Sequence, residues 1–427
     1  MSYILINTGG LVIVAFLLFL LWWWSRDIWS CANVLSVSFG FPLLGSQLWF
    51  RLTESSYFLT SETLLLLYTG WIAFLLGVAI TIRRWPPQSE YATIITPVGR
   101  HGRLVLVALM LAHMAYTVAV IHSTGLVGIF QTKQFGTIDS FAALRLNASS
   151  GNSTAKVGWY LEAWHIAFAY YVPLAIFLYR QREISRKILL FVWSFAGVSS
   201  LVMFSRVQLM LALVFGLVTW AVLFQASGWK VLRVAATLLF ASIALFVGMQ
   251  TVLSRLDSQN KTQLNDQLAT YIVSSPLCFQ ELLNGNYHED NPHQALYIGT
   301  GVYYVLGKLA LLDAAEYPIG YRAFVYVPHP SNVYTFLDVF ALDFGTVGII
   351  LGPFVMGMCM AWVYNHLRTR ITYPRVLLYA LCVYTCSISN LANFILTPAA
   401  LIFLGTVLLL WPLLLADTRS GPIISRA

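Results

Sequence analysis

The stretch that decides the fold class is residues 62–84, ETLLLLYTGWIAFLLGVAITIRR. Its apolar part is about 20 residues long, the length that an α-helix needs to cross the hydrocarbon core of a bilayer. Arg83 and Arg84 end the run, and basic residues are typical of the cytoplasmic end of a span. Similar runs recur along the chain, so the sequence predicts an all-α, polytopic integral membrane protein.

The composition of the whole chain supports this class. Of its 427 residues, 59% are hydrophobic and 10% are charged, whereas soluble domains contain about 25% charged residues. This excludes a soluble globular enzyme and a disordered tail. The net charge of +8 could suggest a nucleic-acid partner, but the basic residues flank the apolar runs, so none is expected. Most cysteines lie in apolar runs, with only Cys278 in a predicted polar loop, so no disulfide framework is expected.

Eleven spans are predicted within a single transmembrane domain, residues 1–427. They cover residues 3–24, 28–50, 62–82, 104–122, 158–179, 188–204, 207–226, 231–253, 343–366, 376–396 and 398–416. The first run lacks a basic segment before it and ends in three tryptophans, which are interface anchors rather than a cleavage site. We therefore interpret it as a span and not as a signal peptide.

The distribution of Lys and Arg predicts the orientation. The loops after the odd-numbered spans, together with the C-terminal tail, hold 16 of the 25 basic residues and 4 of the 17 acidic ones. That gives a net charge of +12 on this side and −4 on the other. The positive-inside rule then places the C-terminus in the cytoplasm and the N-terminus outside.

Two loops on the outer side are long, residues 123–157 and 254–342. The second is too long for a connector, so a subdomain of short helices is predicted there. Within it, residues 295–312 are apolar enough to cross the membrane, but crossing would reverse the sidedness of the following arginines. We interpret them as an interfacial or re-entrant helix. Residues 263–281 carry apolar side chains at helical spacing and predict an amphipathic surface helix.

The sharpest candidate for ligand binding is Arg206, because the sixth and seventh spans are joined only by Ser205-Arg206. A turn this short holds the guanidinium near the bilayer edge, where its planar fork suits a phosphate or diphosphate. The alternative is a side chain that reaches the interface without a ligand.

Further cations lie in the outer loops and could neutralise a polyanionic leaving group without a metal. Each taken alone is more typical of a solvated loop charge. They are Arg145, Arg255, Lys308 and Arg322.

Candidate bases and contacts precede the ninth span. His329 lies between two prolines, which hold its backbone extended, so it could act as a general base or could have no role. In the stretch 332–338, Asn332, Thr335 and Asp338 would share one helical stripe. We interpret this stretch as a site lining, with Asn332 and Tyr334 as substrate contacts and Asp338 as a second candidate base; the alternative is a hydrated helix N-terminus.

Nucleotide, haem and zinc-protease motifs are missing from the sequence. The stretch His288–His293 superficially resembles a metal cluster, but a proline interrupts it and no third ligand motif is near, so no metal or other cofactor is expected. The predicted spans have almost no charge in their interiors, which argues against a secondary transporter.

Together these features resemble a known family. The Ser205-Arg206 turn, the long late outer loop, and the motif HPSNVYT at 329–335 leading to DFGTVG at 343–348 look like the Wzy-type O-antigen and oligosaccharide repeat-unit polymerases. The similarity in layout covers the whole chain. It departs from an arginine-x10-glycine signature of some members, because Gly216 lies ten residues after Arg206 and not eleven.

The resemblance implies a GT-C-like arrangement in the bacterial inner membrane, with the active site facing the periplasm. It implies metal-independent transfer of a growing glycan from undecaprenyl diphosphate to another lipid-linked repeat unit. Arg206, with Arg255 or Arg322, would hold the diphosphate, and His329 or Asp338 would take the acceptor proton. A chain-length regulator is a possible partner. The alternatives are an O-antigen ligase and an exporter of lipid-linked oligosaccharide or polysaccharide.

Overall fold

The computed structural model describes most of the predicted spans and part of the loops. The described residues are 3–25, 30–53, 58–82, 94–99, 101–123, 163–202, 206–226, 228–231, 233–234, 236–237, 274–286, 296–308, 311, 325–327, 330–331, 334–390, 397–414 and 423–424. All structural statements below concern these residues.

The described chain is helical apart from short turns and strands. Its α-helices are α1 (Tyr3–Ser25), α2 (Cys31–Thr53), α3 (Ser61–Thr81), α4 (Gly102–Ser123), α5 (Phe168–Arg180), α6 (Arg186–Val202), α7 (Arg206–Leu223), α8 (Thr300–Lys308), α9 (Asp338–Thr369), α10 (Tyr373–Ser387) and α11 (Pro398–Leu414). Residues 274–283 are also helical. Single 3-10 turns occur at Ala163–Ile166 and Tyr297–Gly299, and two-residue strands at β1 (Ile94–Ile95), β2 (Val325–Tyr326), β3 (Pro330–Ser331) and β4 (Ile423–Ile424).

The helical class predicted from the sequence is confirmed. Five described helices, namely α1, α2, α3, α4 and the 32-residue α9, are long and apolar enough to cross a membrane. Shorter apolar stretches occupy Leu209–Leu223 and Pro398–Pro412. Helices α1–α7 and α9–α11 lie in ten of the predicted spans, while most of the eighth, 231–253, lies outside the described residues. These helices make this a membrane-embedded protein.

Helices α3 and α9 form the closest helix pair of the described chain. Gly77 lies against the backbone of Phe354, and Gly357 lies against the backbone of Phe74. At the far end of the pair, the Asn365 amide donates to the Thr81 carbonyl at 2.8 Å. Small residues let helix backbones approach in a membrane protein, where lipid removes the usual hydrophobic drive for helix association. The two helices therefore run side by side in the same direction.

One end of the bundle collects basic loops, and we call it the arginine end. Strand β1 pairs with β4 near the C-terminus, and the Thr96 amide donates to the Ile371 carbonyl at 2.9 Å. Arg103 forms an ion pair with Glu183 at 3.4 Å. The loops that the sequence assigns to one side of the membrane, after the third, fifth and ninth predicted spans, thus meet here. The basic residues described at this end are Arg103, Arg180, Arg182, Arg186, Lys187, Lys230, Arg233, Arg368, Arg370 and Arg375.

Candidate functional site

At the opposite end of the bundle, a non-helical segment enters between the helices. Residues Tyr334–Leu337 are outside regular structure, and each is at most 1% exposed. Leu337 lies against Gly70, which is nine residues beyond the start of α3 and hence about 14 Å along its axis. The Phe336 ring meets the edge of Phe39 on α2 at 5.3 Å between centroids. The chain therefore descends into the interior of the bundle.

The chain then turns back at Gly345. Helix α9 begins at Asp338, but Gly345 has φ 56° and ψ −141°, which divides the helix into a short first part and a long second part. The Phe340 carbonyl lies against Gly348 and the Phe340 ring against Gly352, so the first part folds back along the second. Only glycine adopts the Gly345 conformation readily. We call residues 334–344 the re-entrant hairpin.

The backbone of the descending segment is hydrogen-bonded by groups from other helices. The Phe336 amide donates to the Ser389 carbonyl at 2.8 Å, just beyond the end of α10. The Ser389 hydroxyl lies 3.0 Å from that of Ser38 on α2, which also donates to the Cys386 carbonyl. Non-helical backbone at membrane depth is tolerated where it is buried in protein and its polar groups have partners. These contacts allow the hairpin to exist at this depth.

A buried helix, residues 274–283, is bonded to the residues that follow α10 and to those that precede α3. The Ser275 hydroxyl donates to the Asn390 carbonyl. The Gln280 side chain accepts from the Thr60 amide at 2.7 Å and donates to the Phe58 carbonyl at 3.2 Å. All residues from 274 to 280 are buried. The predicted amphipathic surface helix is thus wrong over its described part, because these side chains bind loops of the bundle instead of lying at the interface, and Cys278 is in a buried helix, not a polar loop.

Asp343 connects the hairpin to the segment 295–312, which the sequence predicts to be an interfacial or re-entrant helix. Its two carboxylate oxygens accept the Tyr297 and Ile298 amides, each at 2.7 Å. Helix α8, which follows the Tyr297–Gly299 turn, has nine residues and a length of about 14 Å, about half of a hydrocarbon core. It packs against α11. This described helix has the short length that the interfacial or re-entrant interpretation of residues 295–312 requires.

The structure brings two of the predicted site residues together in the hairpin. Tyr334 is 1% exposed in the descending segment, and Asp338 is 5% exposed at the first residue of α9. One Asp338 oxygen accepts the Val339 amide at 2.7 Å. The predicted helical stripe through Thr335 and Asp338 is wrong, because residues 334 and 335 are not helical and the helix begins only at Asp338.

Arg206 is at the same end of the bundle as the hairpin. Helix α6 ends at Val202 and α7 begins at Arg206, while the connection predicted to be a tight turn, residues 203–205, lies outside the described residues. Phe215 of α7 contacts Tyr384 of α10, and at the arginine end Arg180 lies over the Phe224 ring, so the start of α7 is at the end of the bundle where α10 finishes.

Of Arg206 and Lys308, the structure describes only the backbone, and Lys308 is the last residue of α8. The remaining predicted site residues lie outside the described residues, as does the stretch 288–293. They are Arg145, Arg255, Arg322, His329 and Asn332.

Sequence reasoning missed the small polar residues that bind the end of α10, beside the hairpin. Ser38 and Ser275 have no charge and belong to no motif, so nothing marked them. A signal did exist at 387–390, where Ser-Ile-Ser-Asn interrupts the predicted span 376–396, and α10 does end at Ser387. Within the described part of the chain, no three His, Cys, Asp or Glu side chains are grouped so that they could hold a metal ion.

Comparisons with known proteins found no match to a family model, a curated protein or a solved structure. The fold and the site by themselves define a class: a helical membrane protein whose bundle encloses a re-entrant hairpin bearing a buried aspartate.

Proposed function

We propose that this protein is a metal-independent membrane glycosyltransferase that polymerises oligosaccharide repeat units carried on undecaprenyl diphosphate. The observation that carries the proposal is the re-entrant hairpin, which holds Asp338 inside the bundle at the end opposite the arginine loops. The positive-inside rule assigns the arginine end to the cytoplasm, so the hairpin would face the periplasm of the bacterial inner membrane. The diphosphate of a lipid-linked sugar, being charged, lies at the membrane–water boundary of that side.

The chemistry requires two kinds of group. The acceptor hydroxyl attacks the anomeric carbon of the donor glycan, the bond from that carbon to the diphosphate oxygen breaks, and undecaprenyl diphosphate leaves. A base must take the hydroxyl proton, and we assign this role to Asp338 or His329. Cations must stabilise the charge that develops on the diphosphate, and we assign this role to Arg206 with Arg255 or Arg322. The activated donor supplies the bond energy, so no nucleotide is needed.

Arg206 suits the leaving group because of its place in the fold. It begins α7, and α6 ends four residues before it at Val202, so its position along the bundle axis is fixed by two helices. A guanidinium binds a diphosphate through two parallel hydrogen bonds, which an ammonium cannot reproduce. Arg206→Lys should therefore retain less activity than its unchanged charge alone would predict.

The test is polymerisation by the purified full-length protein in nanodiscs. The substrate is a native lipid-diphosphate-linked repeat unit, with EDTA and without nucleotide, and the products are separated by chain length. We expect a ladder with the unaltered protein and with Arg186→Ala, an exposed arginine at the opposite end. We expect Arg206→Ala and Asp338→Asn to lower the rate by about 100-fold or more.

Other results would point to the two alternative functions. A single transfer to a lipid A core acceptor, without a ladder, would indicate a ligase. Movement of the intact substrate across a sealed bilayer, without any new glycosidic bond, would indicate an exporter and would overturn the proposal.

A further inference from the structure

Asp343 lies at the contact between the re-entrant hairpin and the segment 297–308. It precedes the Gly345 turn by two residues, so it belongs to the re-entrant hairpin. Its carboxylate binds the first turn of the segment 297–308, more than 40 residues earlier in the chain. The two bonds join the hairpin to the turn that leads into α8.

The segment 297–308 lacks an N-terminal cap of its own. The residue at its N-cap position is Leu296, whose side chain has no hydrogen-bond acceptor. The first amides of a helix have no partner within the helix, and a carboxylate at this position also interacts favourably with the helix dipole. Asp343 supplies the missing cap from another part of the chain. Removing it would expose two amides and release the segment from the hairpin.

The opposite end of α8 carries Lys308, a candidate contact for the diphosphate. A cation at a helix C-terminus and a carboxylate at its N-terminus both complement the helix dipole. Since α8 is a regular helix about 14 Å long, holding its N-terminus also fixes the backbone position of Lys308 at its C-terminus. Asp343 therefore determines the relative position of the hairpin that bears Asp338 and the helix that bears Lys308.

We propose that Asp343 is a positioning residue of the site and not its base: it docks helix α8 onto the re-entrant hairpin. A base must accept a proton during the reaction, whereas each Asp343 oxygen already accepts an amide hydrogen bond. Asp338, which is more deeply buried in the same hairpin, keeps the role of candidate base.

The first test measures docking directly and is independent of the proposed function. Hydrogen–deuterium exchange of the full-length protein in nanodiscs is followed for the peptide that covers residues 296–300. We expect Asp343→Ala to speed exchange of this peptide roughly tenfold, with exchange over α10 unchanged. Asp343→Asn keeps one acceptor oxygen and should have a smaller effect. Glu62→Ala, which removes an exposed carboxylate at the same end, is the matched control. Unchanged exchange in Asp343→Ala would overturn the docking role.

The second test separates positioning from proton transfer, and it rests on the proposed polymerase activity. We expect Asp343→Ala to lower kcat by about 10- to 100-fold through misplacement of the reacting groups, without a change in the shape of the pH–rate profile. Asp343→Asn should recover most of this loss. An inactive Asp343→Asn protein with normal exchange at 296–300 would instead make Asp343 the base. If the unaltered protein does not polymerise, the proposed function fails, and the exchange experiment still decides whether Asp343 docks the helix.

Discussion

Helix α9 packs in two different ways on either side of Gly345. Beyond it, the helix lies along α3 with Gly77 and Gly357 at the contact, and the Asn365 amide donates to the Thr81 carbonyl. Before it, the Phe336 amide of the hairpin donates to the Ser389 carbonyl beyond the end of α10, and Asp343 accepts two amides of the segment 297–308. The first region joins two regular helices, whereas the second accommodates a backbone that has left helical structure.

The difference follows from how the backbone of each region obtains its hydrogen bonds in a membrane. A continuous helix hydrogen-bonds its own backbone, so its neighbours need only fit its surface closely. A descending non-helical segment has to find partners for its amides and carbonyls in other parts of the chain. The α3–α9 contact should therefore respond to added volume, and the hairpin to lost packing, altered backbone conformation and lost hydrogen bonds.

The largest effect on stability is expected at Phe336. Its side chain is fully buried against Phe39, and Phe336→Ala should lower the free energy of unfolding by about 3–5 kcal/mol. The measurement is equilibrium or thermal unfolding in detergent. Phe344→Ala is the matched control, because this phenylalanine in the same hairpin is 50% exposed and should cost less than about 1 kcal/mol. Equal effects of the two variants would mean that the descending segment is not packed in the bundle.

The α3–α9 contact should be sensitive to a single methyl group. A Cβ at residue 357 would meet the Phe74 carbonyl, so Gly357→Ala should destabilise the protein by about 3 kcal/mol. Gly9→Ala is the control, since nothing lies within 4 Å of the added carbon. Unfolding of the two variants under identical conditions checks the prediction. A stabilised Gly357→Ala protein would contradict the close approach of these helices.

Backbone conformation at the turn of the hairpin should matter more for activity than for folding. Gly345→Ala has space for its methyl group, but its φ of 56° is unfavourable for alanine and should cost about 1–3 kcal/mol. We expect the protein to remain folded while polymerisation falls more than stability does. Gly405→Ala, in open space on α11, should change neither. Wild-type activity in Gly345→Ala would show that the turn does not set the site.

The smallest effect is expected at the hydrogen bond of the α3–α9 pair. Asn365→Leu keeps a similar volume but removes the donor to the Thr81 carbonyl, and should cost about 1 kcal/mol. Thr406→Val on α11, which removes a bond within one helix, is the comparison. A shift of several kcal/mol at residue 365 would show that polar contacts, and not the glycines, dominate this interface.

Much of the helical layout could be predicted because its signals are local. The apolar run at 62–82 corresponds to α3 almost residue for residue, and α7 begins at Arg206, one residue before the predicted seventh span. The prediction of a surface helix at 263–281 failed because its spacing of apolar residues is compatible with a surface helix and with a buried one. Leu264, Leu268 and Ile272 have the spacing of a surface helix, but helical spacing does not say whether the residues that follow are covered by other helices. The described residues 274–280 are covered by them.

The sequence by itself determined that this is a helical membrane protein, where most of its helices lie and which loops are basic. Apolar length and charge are properties of short stretches, so no contact between distant residues is needed to recognise them. The tertiary structure decided that residues 334–344 form a re-entrant hairpin, that Ser38 and Ser389 meet beside it and that Asp343 caps the segment 297–308. Those bonds join residues separated by between 45 and about 350 positions, and only the folded bundle brings them within hydrogen-bonding distance.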